Sequence, residues 1–221
     1  KLLLDFINWL PELDSNETYY CSLFARKKYS NELIHSNDRT QLKRFTSSKE
    51  RLFEEISQLE LPLGRWKLKS IEAPQESLVV YINPNPRCQK KATELMGAKC
   101  WTLMKSQNYN IHAEAISCIQ QSKSRTCYVD FDIDTKDVDL NKLKDIFPIF
   151  NNYHKVLETS GGYHVLIDSF RAEELLKQLP KYPKNWYKAM QDTFTIDQTG
   201  DQLIPVPGCT QGNFIPKFIN I

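Results

Sequence analysis

The run Cys127-Tyr128-Val129-Asp130-Phe131-Asp132-Ile133-Asp134 alternates acids with bulky apolar residues. A period of two is the signature of a strand, whose successive side chains point to opposite faces. Asp130, Asp132 and Asp134 then share one face, and Val129, Phe131 and Ile133 share the other. Carboxylates side by side on one face repel each other unless a cation sits between them. Hard oxygen donors suit Mg²⁺ or Mn²⁺. The strand therefore points to a metal site, with a solvated strand end bearing scattered acids as the plain alternative.

Downstream, Lys155–Thr159 and Tyr163–Ile167 read as two strands joined at Ser160-Gly161-Gly162, a hairpin-like turn. Paired glycines let a backbone approach a ligand closely, and free amides there can receive a phosphate. Ser160 and His164 add donors beside them. A third element follows at Ile196-Asp197, and Pro205-Val206-Pro207-Gly208 frames a rigid turn after it. Helices are expected over Leu140–Phe150, Ala172–Leu179 and Trp186–Asp192, with short strands at Thr195–Asp197 and Gln202–Val206.

Upstream, Leu78–Ile82 is an apolar strand that Asn83-Pro84-Asn85-Pro86 interrupts. Helices are expected from Cys88 to Lys105 and from Ala113 to Ser122. Arg87, Lys90 and Lys91 stand where the first of them begins. Cations there oppose the helix dipole, so an anion is a natural partner. The first 60 residues read as mostly helical. Leu2, Leu3, Phe6, Ile7 and Leu10 recur at helical spacing before Pro11, and Ser47 and Glu50 have the spacing of a capping box before Leu52, Phe53, Ile56 and Leu59. Pro62 and Gly64 mark a boundary, dividing a helical accessory region, residues 1–64, from a mixed remainder, residues 65–221. Between the two helices, Arg26-Lys27-Lys28, flanked by Phe24 and Tyr29, can hold phosphates and stack bases. The whole is a mixed α/β pattern of the α+β kind, with an antiparallel component.

Acid pair, then Ser–His, then apolar–Asp, in that order, resembles the catalytic core of the archaeo-eukaryotic primase superfamily. Phe131-Asp132-Ile133-Asp134 is similar to its first motif and Ile196-Asp197 to its third. Ser160-Gly161-Gly162-Tyr163-His164 is similar to a lengthened second motif, as in primase-polymerases. The resemblance spans residues 77–213. It implies an antiparallel, RNA-recognition-like sheet, a second α/β module, and N-terminal helices as an accessory layer. It also implies template-directed nucleotidyl transfer with two Mg²⁺ or Mn²⁺ ions held by Asp132, Asp134 and Asp197. Asp130 with Asp132 is the other choice of acid pair, and Asp130 is expected to be the most dispensable of the three. His164, Ser160, Gly161, Gly162, Arg87, Lys90 and Lys91 would contact the triphosphate, and Arg26, Lys27 and Lys28 the template or primer. The implied partners are nucleoside triphosphates, single-stranded DNA template and primer, and a helicase or another replication protein. A nucleotide- or strand-binding module of the same fold that does not synthesise, and a metal-dependent nuclease, are the competing functions.

Composition sets the outer limits. The charge is nearly balanced, at +2, so any nucleic-acid surface must be a local cluster. No apolar run approaches a membrane span, and Lys1–Leu4 is too short for a signal-peptide core. Six scattered cysteines without a CxxC argue against a zinc knot and for reduced thiols, hence an intracellular, cytoplasmic or nucleoid-associated setting.

Overall fold

A computed structural model describes every residue except 31–38, 61–64, 69, 108–109, 148–152 and 179–184. Its elements run α1 (Leu2–Trp9), β1 (Glu17–Arg26), β2 (Arg39–Ser47), α2 (Leu52–Ser57), β3 (Lys67–Leu68), β4 (Ile71–Glu72), β5 (Leu78–Ile82) and β6 (Arg87–Cys88). Then come α3 (Gln89–Lys105), α4 (Ile111–Gln121), β7 (Tyr128–Ile133), α5 (Lys142–Ile146), β8 (His154–Glu158) and β9 (Tyr163–Asp168). The chain closes with α6 (Ser169–Gln178), α7 (Trp186–Thr193), β10 (Gln198–Gly200), β11 (Ile204–Pro205) and β12 (Lys217–Ile219). The fold is α+β, with antiparallel sheets.

One sheet has the order β11-β5-β1-β2, with β6 also paired to β1. Cys21, Leu23 and Ala25 lie opposite Ile82, Val80 and Leu78, so one face is continuously apolar. That face packs under Phe6 and Ile7 of α1, Leu10 just after it, and Leu52 and Ile56 of α2. The second sheet has the order β10-β7-β9-β8-β12. Phe131 and Ile133, with Val156, Val165 and Ile167, bury one of its faces under α5, α6 and α7. On the opposite face Leu157 and Leu166 join the core of the first sheet. Trp9 stacks on Tyr128 with ring centroids 4.3 Å apart, so α1 wedges between the two sheets.

The period-two reading of β7 holds: Asp130 and Asp132 lie opposite Leu166 and His164, on the face away from the Phe131 core. The β8–β9 hairpin, α3, α4 and α7 also stand close to where the pattern put them. The N-terminal expectation does not hold. Residues 17–26 and 39–47 are long paired strands, and β1 pairs with β5 as well as β2. Among the described residues, this region therefore contributes two strands, β1 and β2, to the first sheet and is not a helical layer beside a 65–221 core. The misreading has a physical cause: β1 is buried on both faces, which removes the alternation that marks a half-exposed strand. The capping box does not form either; α2 begins at Leu52 with Arg51 before it and no side-chain cap. Pro62 and Gly64, the end of the Leu140–Phe150 helix and Leu179 lie outside the described residues. The strand expected at Thr195–Asp197 forms three residues later, as β10. Among the described residues no helix is long and apolar enough to cross a membrane, and all six cysteines are free thiols.

Candidate functional site

The two sheets meet at a polar cavity of about 190 Å³. Asp132, His164 and Gln198 line it from the second sheet, and Arg26, Tyr81 and Pro205 from the first. Loops add Asp134, Thr159, Gly161, Asp197, Gln202, Leu203, Lys28 and Gln211. Three separated sequence elements thus converge: the acidic strand, the glycine turn with His164, and Asp197.

Local backbone chemistry explains the convergence. The Asp197 N–H donates to the Asp132 carbonyl at 2.8 Å, and Gln198 lies opposite Asp132 on β10, so Asp197 is carried on the edge of β7. The turn before β9 is closed by Thr159, whose N–H donates to the Gly162 carbonyl while its hydroxyl accepts from the Gly162 N–H at 3.1 Å. A Cβ at Gly162 would lie 1.9 Å from the Ile133 carbonyl oxygen, so only glycine lets the turn lie against the end of β7. A Cβ at Gly161 would lie 3.1 Å from Asp134 Oδ1 and 4.0 Å from Lys28 Nζ. This turn therefore sits where an acid from one sheet meets a cation from the other.

The three acids of the strand have distinct surroundings. Asp130 is 1% exposed, and its Oδ2 accepts from His164 Nδ1 at 2.8 Å. Its other oxygen is buried with no hydrogen-bond partner. Asp130 thus holds the imidazole from behind and, unlike Asp132, Asp134 and Asp197, the other acids expected as metal ligands, does not line the cavity. A carboxylate only accepts, so His164 Nδ1 carries a proton, and Nε2 stands on the Asp132 side, 3.8 Å from Asp132 Oδ1. Burial of the ring works against its protonation. Asp130, aided by Asp132 and Asp134, outweighs burial and raises the His164 pKa above its ordinary value. Asp132 is half-buried, and its carboxyl pKa is raised. Burial is the leading cause; Asp130, Asp134 and Asp197 add to it, and His164 opposes it.

Several expected contacts lie elsewhere. Arg87 is 2% exposed and forks onto Asp201, with Nη1 to Oδ2 at 2.7 Å and Nη2 to Oδ1 at 2.9 Å. Its charge is already neutralised inside the protein, so it is a brace and not a phosphate hand. Lys91 Nζ donates to the carbonyls of Lys123 and Ser124, and Lys90 is exposed on α3. Lys27 is exposed and, like these, does not line the cavity. Ser160 lines a neighbouring cavity with Lys28 and Tyr29, and its N–H is taken by Gln211 Oε1 at 2.8 Å. The Ser160 and Gly162 amides are therefore engaged by the chain itself. From the basic cluster only Arg26 and Lys28 face the acids. Arg26 is steadied by a 2.7 Å hydrogen bond to the Tyr81 hydroxyl. Gln198, Gln202 and Gln211 carried no sequence signal, since isolated glutamines fit any polar surface.

Among the described residues, no group of three or more His, Cys, Asp or Glu side chains is gathered closely enough to hold a metal ion. The donor set nevertheless fits one in kind. Asp132, Asp134 and Asp197 offer hard oxygens to a single cavity, and burial, with the neighbouring acids Asp130, Asp134 and Asp197 adding to it, raises the Asp132 pKa. Mg²⁺ is commonly held by one or two carboxylates, with water and substrate phosphates completing its shell, so a closed cage of protein ligands is not required. No protein-family model, curated protein or solved structure matches the chain.

Proposed function

We propose that this chain is a template-directed nucleotidyltransferase of the primase-polymerase type, joining nucleoside triphosphates on a single-stranded DNA template. The supporting observation is the convergence of Asp132, Asp134, Asp197 and His164 with Arg26 and Lys28 on one cavity between two antiparallel sheets. The opposed cations and the buried histidine suit an anionic substrate held by its phosphates.

In this reading Asp132, Asp134 and Asp197 hold Mg²⁺ or Mn²⁺. When bound, such ions neutralise the triphosphate and make the attacking 3′-hydroxyl more acidic. The rest of the work is positioning by the chain's own groups. His164, whose imidazolium form Asp130 favours by accepting from Nδ1, would offer Nε2–H to a phosphate oxygen. Arg26 and Lys28 meet the triphosphate from the opposite sheet, the role first given to Arg87, Lys90 and Lys91. Asp197 keeps its place relative to Asp132 through the backbone bond between them.

The test is synthesis on primed and unprimed single-stranded templates with Mg²⁺ or Mn²⁺, using ribonucleotides and deoxynucleotides separately. Wild-type protein should make product and Asp132→Asn should make none. Absence of product from wild-type protein under every combination, or undiminished product from Asp132→Asn, overturns the proposal. Nucleotide binding without synthesis would favour the binding-module alternative, and template degradation without added triphosphates the nuclease.

A further inference from the structure

The long helix α3 is nearly unburied by its own chain. Of its 17 residues only Ala92 is buried. Trp101 is 65% exposed and Met104 64% exposed, which is unusual for side chains of this size. At about 100° per residue, Lys90, Trp101 and Lys105 fall within roughly 60° of one another on one face. Their Cα atoms span about 22 Å along the axis at about 1.5 Å per residue. Lys105 Nζ stands 5.5 Å from the Trp101 ring centroid. An added Cβ at Gly97, on the same face, would meet nothing within 4 Å, so the stripe is open between its ends.

Charge decides what could cover this face. On this face Lys90 and Lys105 stand with one acid, Glu94, at about 40° from Lys90, a net of +1; Lys91 and Lys99 of the same helix lie about 100° and about 180° from Lys90. Lys99 is the one among them paired to an acid, Glu114 of α4. The core of a protein–protein interface is depleted of lysine, whereas single-strand binding surfaces interleave cations with exposed aromatic rings. The position is also suitable. A second cavity of about 450 Å³ shares Gln198, Gln202 and Leu203 with the carboxylate cavity. It reaches Arg87, just before α3, and Gln120 and Gln121, at the end of α4. This second cavity thus extends the polar surface from the acids to Arg87, two residues before α3 begins.

We propose that the exposed face of α3 is a docking track for single-stranded nucleic acid: a base stacks on Trp101, and backbone phosphates sit on Lys90 and Lys105. The strand's role as template rests on the function proposed above; its binding does not. The test is therefore run without divalent ions or triphosphates. A labelled single-stranded oligonucleotide of about 20 nucleotides, long enough to follow this polar surface and the helix, is titrated with wild-type protein and variants at several salt concentrations. Trp101→Ala should weaken binding by about 5- to 100-fold, the range expected for one stacked base. The double variant Lys90→Ala/Lys105→Ala should flatten the slope of log affinity against log salt by about 1.4, or roughly 0.7 per lost phosphate contact. All three side chains are exposed, so circular dichroism should show an unchanged fold. Asp132→Asn serves as the control that separates the two proposals, because it should lose synthesis and keep this binding. Unchanged affinity in Trp101→Ala together with an unchanged salt slope in the double variant overturns the inference, and would leave α3 as a surface for a protein partner.

Discussion

Asp130→Asn tests the most specific geometric statement about the site, that one acid of the strand serves the histidine and not a metal. The substitution keeps shape and removes charge. The bond it alters is 2.8 Å long, between a carboxylate that is 1% exposed and an imidazole that is 8% exposed. A hydrogen bond to a charged group contributes about 1.5–3 kcal/mol, and a neutral one about 0.5–1.5 kcal/mol. Asparagine can still accept from Nδ1, so the expected loss is the difference, about 1–2 kcal/mol. For a chain of this size that lowers the melting temperature by about 2–8 °C. The pH dependence carries the sharper test. The folded-state pKa of His164 is raised, chiefly through Asp130 acting against burial. The resulting stability is fully present below the unfolded value of about 6.5 and is lost as pH rises through the folded value. Urea unfolding at pH 5.5 and pH 8.5 should show a wild-type advantage that is larger at the lower pH. An advantage that is equal at both, or larger at pH 8.5, would refute the pairing as the source of the shift. In synthesis, Asp130→Asn should lose activity through a misdirected Nε2 although it touches no substrate, contrary to the expectation that this acid is the expendable one.

Other substitutions probe the frame and the acids. Arg87→Ala leaves Asp201 charged and half-buried without its fork, and should cost about 3–5 kcal/mol in chemical denaturation; an unchanged urea midpoint would show that the fork is not a structural brace. Gly162→Ala forces a Cβ to within 1.9 Å of the Ile133 carbonyl oxygen, so the turn must move away from β7; synthesis should fall at least tenfold, and a variant with full activity would deny that this close approach places the turn. Asp132→Asn should abolish synthesis while leaving the metal-free melting temperature equal or higher. A carboxyl whose folded pKa is raised favours its neutral form, so it withdraws stability as pH climbs above its unfolded value. A clear drop in melting temperature at pH 7 would contradict that sign.

The legible and illegible parts of the molecule divide along physical lines. The face of each acid on β7 was readable because a period of two is local. The glycine turn was readable because a short Ser-Gly-Gly segment between two apolar, strand-like runs is a local turn signal. Strand β1 was hidden by its own burial, although Tyr19-Tyr20-Cys21-Ser22-Leu23-Phe24 is rich in residues that favour strands. Strand β2, with Arg39, Lys43 and Arg44, is charged as sheet edges are, which masks its pairing. The fate of Arg87 was unreadable, because its partner Asp201 lies 114 residues away. The distinct position of Asp130 was unreadable for a related reason: it depends on how β9 packs beside β7, where His164 sits opposite Asp132 but turns its Nδ1 to the diagonal neighbour Asp130.

The charge balance of the cavity bears on how a nucleotide would enter. Asp132, Asp134 and Asp197 supply three negative charges; Arg26 and Lys28 supply two positive ones. A protonated His164 is balanced by Asp130 behind it. The ionised site is therefore slightly negative. A nucleoside triphosphate alone brings about four more negative charges at neutral pH, given a terminal phosphate of about −1.5 to −2. Its phosphates would meet Arg26, Lys28 and His164 on one side and three carboxylates on the other. If Asp132, Asp134 and Asp197 held two divalent ions, those ions would cancel the added charge and ease the repulsion among the acids. Triphosphate affinity should accordingly rise at least tenfold on adding Mn²⁺ to the wild-type protein, and much less in Asp132→Asn, as read by calorimetric titration. Equal affinity with and without the ion would mean that the cations of the first sheet suffice alone, and the carboxylates would then need another purpose.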